Sequence, residues 1–161
     1  MPLIIVSIFN FKYPSPTAIP PDKVNPDGII KRDFANAVLL ISLDGSKPVE
    51  PIFLSTNGQQ AMLSPALSPD GNELALVALQ VQNGKLGPVA LVTCPATQGG
   101  IQQALPIARG NISEPSWSSD GSMLTFIRDG DVWTVRRDGS GETNLTKGKG
   151  KFHQPKFSPQ K

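Results

Sequence analysis

Short apolar runs alternate along the chain with clusters of Ser, Pro, Asp and Gly. Leu74-Ala75-Leu76-Val77-Ala78-Leu79 is apolar throughout, the pattern of a strand buried on both faces. Leu124-Thr125-Phe126-Ile127 repeats it, and Leu3-Ile4-Ile5-Val6-Ser7-Ile8-Phe9 has the same character. A long motif precedes two of these runs. Ser64-Pro65-Ala66-Leu67-Ser68-Pro69-Asp70-Gly71 leads into Leu74, and Glu114-Pro115-Ser116-Trp117-Ser118-Ser119-Asp120-Gly121 leads into Leu124. Gln154-Pro155-Lys156-Phe157-Ser158-Pro159 begins a third copy. Prolines 65, 115 and 155 are spaced by 50 and then 40 residues, the length of one propeller blade.

Each part of the repeat has a mechanical reason. Pro-x-(Trp/Leu/Phe)-Ser predicts a short first strand with one large apolar side chain, and Pro is tolerated at a strand start because its missing N–H is not needed there. Ser68-Pro69-Asp70-Gly71 and Ser118-Ser119-Asp120-Gly121 predict tight turns between antiparallel strands, with Gly71 and Gly121 at positive φ. Asp131 to Val135 is a third strand, Asp138-Gly139-Ser140-Gly141 a turn, and Glu142 to Thr146 a fourth strand. Ala37 to Gly45 and Lys47 to Ser55 predict the same two strands earlier, as do Gly87 to Thr93 and Gln102 to Ala108.

The pattern predicts an all-β chain, one partial propeller domain over residues 1–161 with about three four-stranded antiparallel blades. It starts at the second strand of one blade and ends at the first strand of another. Residues 12–36, with prolines 14, 16, 20, 21 and 26, read as a long loop inserted in the first blade.

The stretch Pro115-Ser116-Trp117-Ser118-Ser119-Asp120-Gly121, followed by Phe126, Val132, Asp138-Gly139 and Leu145-Thr146, resembles the TolB-type β-propeller repeat. Pro65, Ser68, Pro69, Asp70 and Gly71 match with Leu67 in the Trp place, and Pro155, Ser158 and Pro159 match with Phe157 there. The resemblance implies propeller blades, a protein-binding rather than catalytic role, and a periplasmic setting. That family joins six blades to an N-terminal α/β domain, and neither six blades nor that domain fits in this chain.

Composition changes this picture little. Pro (16) and Gly (15) are spread along the chain, as turns between many short strands require. The one cysteine, Cys94, excludes an intrachain disulfide and reads as a buried thiol. Residues 128–161 carry a net +4, against −2 for the rest. Arg136, Arg137, Lys147, Lys149 and Lys151 therefore form a candidate partner-binding set; without interleaved aromatics they do not predict a nucleic-acid site. No apolar run is long enough for a membrane helix, and no signal peptide is recognisable.

Catalytic chemistry has little to work with. His153 is the only histidine and no Gly-x-Ser-x-Gly elbow exists. Asp129-Gly130-Asp131 offers too few oxygens for calcium and reads as a hairpin. Trp117 and Trp133 read as core residues. No catalytic residue, cofactor or metal is expected. The expected function is a protein–protein interaction scaffold, with two chains closing one six-bladed ring. The alternatives are a small-ligand or carbohydrate-binding propeller, or a fragment of a larger propeller protein.

Overall fold

The computed structural model of the chain describes residues 3–9, 36–45, 50–55, 60–82 and 85–158. All but the last residue of the predicted Pro-rich insertion, 12–36, lies outside the described residues; Asn36 opens a strand. The strands are β1 (Leu3–Phe9), β2 (Asn36–Ser42), β3 (Glu50–Ser55), β4 (Gln60–Leu67), β5 (Glu73–Gln82), β6 (Lys85–Pro95), β7 (Leu105–Arg109), β8 (Ile112–Trp117), β9 (Met123–Arg128), β10 (Asp131–Arg136) and β11 (Thr143–Asn144). They form three antiparallel sheets, β1-β2-β3, β4-β5-β6-β7 and β8-β9-β10-β11, each strand paired with its sequence neighbour. This is the meander of propeller blades. Three strands of the first sheet are described, with β1 and β3 on either side of β2.

Alternation along β5 explains how the sheets stack. Leu74 and Leu76 join a core with Val38, Ile52 and Val92, shared with the first sheet. Ala75 and Val77 point the other way, into a core with Trp117, Leu124, Phe126 and Val135 of the third sheet. The middle blade is thus buried on both faces. The indole Nε1 of Trp117 donates to the Ala66 carbonyl at 3.0 Å, which pins the third blade to the first strand of the second.

Three expectations about element placement are corrected. Pro65 and Pro115 do not start strands. Leu63 pairs with Val77 and Ala66 with Ala75, so Ser64-Pro65 oppose Leu76 alone. Glu114-Pro115 likewise oppose Phe126, between the pairs Ser113–Ile127 and Ser116–Thr125. Each proline sits in a β-bulge, where its missing N–H costs no ladder bond. Ser64 and Glu114 take φ of 49° and 55°, and Gln154 before Pro155 takes 48°. Gln154 thus repeats the φ of the two bulges, but residues 154–158 are not in a strand. The last strand of the second blade begins at Leu105, because Gln102 and Gln103 belong to a 3-10 turn, Gly100–Gln103.

Candidate functional site

The blades present two ends, and their turns decide what each can do. At one end lie the β4–β5, β8–β9 and β10–β11 turns. Ser68 Oγ donates to Asp70 Oδ1 at 2.6 Å and accepts from the Glu73 N–H at 2.9 Å, while the Asn72 N–H donates to Asp70 Oδ1 at 3.1 Å. Ser118 and Asp120 repeat this, with Oγ to Oδ1 at 2.6 Å, Met123 N–H to Oγ at 3.0 Å and Ser122 N–H to Oδ1 at 3.0 Å. Gly71 (φ 76°) and Gly121 (φ 70°) donate back to the Ser68 and Ser118 carbonyls. Sequence reasoning passed over Ser42, whose hydroxyl donates to Asp44; the Ser-x-Asp-Gly spacing at residues 42–45 was the available signal. The Ser118 hydroxyl and then the Ser122 amide hold the Asp120 carboxyl down to about 2, and the Ser68 hydroxyl lowers Asp70 in the same way.

Between the second and third blades this end opens into a cleft. Ser68, Pro69, Asp70, Ser119, Asp120, Gly121 and Arg137 line a space of about 290 Å³. Arg137 is shared with an adjoining space of about 380 Å³, walled also by Glu73, Thr93, Leu105, Arg136 and Asp138. Arg137 Nη2 reaches Glu73 Oε1 at 2.6 Å across the blades. The second oxygen, Glu73 Oε2, is buried with no hydrogen-bond donor among the described residues.

The other end carries the β9–β10 turn and the segment after β11. Asp129 (φ 54°) and Gly130 (φ 88°) make a two-residue hairpin turn. The oxygens of Asp131 accept from Thr146 Oγ1 at 2.7 Å, Asn144 Nδ2 at 2.9 Å and the Gly148 N–H at 2.8 Å. These donors, Asn144 first, lower its carboxyl. Lys147, Lys149 and Lys151 are exposed here. Arg136 and Arg137 lie at the far end of the six-residue β10, about 17 Å away. The five basic residues therefore do not make one patch.

Arg128 escaped the sequence reading and organises this region. Its guanidinium stacks 3.6 Å from the Trp133 ring centroid, and Nη1 donates to the Arg109 carbonyl at 3.0 Å and to Glu142 Oε1 at 2.7 Å. Trp117 is a core residue, and Trp133 is half-buried beneath Arg128. Among the remaining reactive side chains, His153 is 76% exposed with Nδ1 3.8 Å from Glu114 Oε1. Cys94 is buried, and burial pushes its thiol up to about 11, so it stays protonated. No group of three or more His, Cys, Asp or Glu is arranged to hold a metal among the described residues, and no described helix is long and apolar enough to cross a membrane.

Residues 38–155 match the sequence profile of the family described as the lipoprotein LpqB beta-propeller domain. A curated relative, the TolB homolog of Chlorobium luteolum, is 31% identical over 107 residues, which cover 65% of this chain and 23% of that protein. The chain thus spans about a quarter of that relative's length. A solved structure described as a TolB from Agrobacterium tumefaciens aligns over 76% of this chain and 44% of its own, at 21% identity and a TM-score of 0.48. Hydrazine synthase of Kuenenia stuttgartiensis aligns over 71% of this chain and 39% of its own, at 15% identity and a TM-score of 0.50, a likeness of fold alone.

Proposed function

The chain belongs to the lipoprotein LpqB β-propeller domain family, with TolB-like blades, and from that premise we propose that it is a non-enzymatic scaffold for protein–protein interaction. The single observation that carries the reading is the state of the turns. At both ends of the blades, aspartates accept hydrogen bonds from their own loops, which ties down the backbone that carries the neighbouring charged side chains. A surface fixed in advance loses little entropy on docking a partner. The extracytoplasmic setting of envelope propellers suits this role. We further propose that two copies of the 161-residue chain close one ring, with residues 154–158 of one copy against β1 of the other, at the edge that has no neighbour among the described residues.

Affinity capture from an envelope extract tests the proposal. Tagged protein should retain a protein that an excess of untagged protein displaces in proportion to its concentration. Retention of nothing displaceable overturns it. A second reading, a small-ligand site in the interblade cleft, is favoured by one specific observation, the buried and unpartnered Glu73 Oε2. A donor-rich small molecule that raises the melting temperature of wild type but not of Glu73→Gln would support that reading instead.

A further inference from the structure

We propose that the Lys147–Lys151 loop is a preformed docking surface for an acidic polypeptide segment; this rests on the protein-interaction reading and names the partner's chemistry. Lys147, Lys149 and Lys151 are exposed, and none of them forms an ion pair among the described residues. Three of the carboxylates nearby are committed elsewhere. Glu142 holds Arg128, Glu114 accepts from the Gln154 N–H, and half-buried Asp131 takes only neutral donors. Asp129 is exposed on the adjacent turn and pairs with no cation among the described residues.

The loop is not a loose tether, although its sequence alternates Lys with Gly. The Lys147 and Thr146 N–H groups donate to Asn144 Oδ1 at 2.8 and 3.0 Å, Gly148 N–H to Asp131, Lys149 N–H to the Thr146 carbonyl at 3.1 Å, and Phe152 N–H to the Gly130 carbonyl at 2.9 Å. Asp131 thus positions the backbone that carries three lysines it does not itself neutralise. Two apolar side chains flank them, Leu145 at 56% exposure and half-buried Phe152. Carboxylates interspersed with apolar groups are what a polypeptide offers, whereas inorganic phosphate would use the charge alone.

The test is fluorescence anisotropy with a labelled peptide of alternating glutamate and leucine, against its glutamine counterpart, inorganic phosphate and phosphatidylglycerol vesicles. The glutamate peptide should bind, weaken with salt, and lose about tenfold in the variant with all three lysines replaced by Gln. Asp131→Asn adds a net positive charge yet frees the loop, so binding should fall. Charge-neutral Thr146→Val should also weaken it, with near-ultraviolet circular dichroism confirming the fold. Equal or tighter binding by Asp131→Asn and Thr146→Val, an unchanged triple variant, or binding to vesicles or phosphate but not to the peptide would each overturn the proposal. If the peptide fails while a displaceable protein partner is still captured, only this inference falls; if capture fails too, both fall.

Discussion

At the residue scale, the Ser-x-Asp-Gly turn is a small electrostatic device. The Ser118 hydroxyl and Ser122 amide hydrogen-bond the ionised form of Asp120 and hold its carboxyl at about 2, below the ordinary 3.8. A carboxyl depressed in the folded state adds stability above its unfolded value and loses that contribution as pH falls through the folded one. The window for Asp120 therefore runs from about 3.8 down to about 2. Asp120→Asn keeps an acceptor but cannot titrate. Urea midpoints should show wild type the more stable near neutrality, with the gap closing across that window; parallel curves would contradict the assignment. Gly121 belongs to the same turn for a different reason. Its φ is 70°, and a Cβ there would meet nothing closer than Pro69 Cδ at 3.7 Å. Gly121→Ala should therefore cost only the backbone penalty, about 1 kcal/mol, and Gly121→Asn less. An unchanged melting curve for the alanine variant would contradict this.

At the scale of elements, Arg128 of β9 ties the end of β7, β10 and the approach to β11 together through one guanidinium. Arg128→Gln should lower stability by about 1–2 kcal/mol and shift the emission of Trp133; unaltered emission and stability would show that the stack is incidental. This residue was within reach of sequence reading. The Asp129-Gly130 turn sets Arg128 opposite Asp131, which places Trp133 diagonally across on the same face. The strand order was legible because two-sided apolar runs between Asp-Gly turns leave few alternatives. The bulges were not. A missing N–H fits a strand start and a bulge equally, and only the partner strand decides between them. Asp131 was illegible for a related reason, since its donors lie 13 to 17 residues further along the chain.

At the scale of the molecule, each inner face of a blade needs a neighbour, and each edge strand needs a partner or a cover. The middle blade has both neighbours, and Trp117 and the Arg137–Glu73 pair lock it to the third. β1 lacks a partner on one side among the described residues. Gln154 to Ser158 is already held in the place of a first strand, with the Gln154 N–H on Glu114 and Lys156 Nζ 3.4 Å from Ser116 Oγ, each contact joining residues 40 apart. In the proposed ring a second copy would lie against that edge of β1, and a two-fold axis would form the same contact twice. In a longer protein the adjoining blades of the same chain would cover them. For the 161-residue chain, light scattering should therefore report twice the chain mass. Truncation after Lys151 should return it to monomer or to aggregates, because the segment proposed to cover β1 is gone. A stable, non-aggregating monomer of the full sequence, or a dimer indifferent to that truncation, would refute ring closure by two copies.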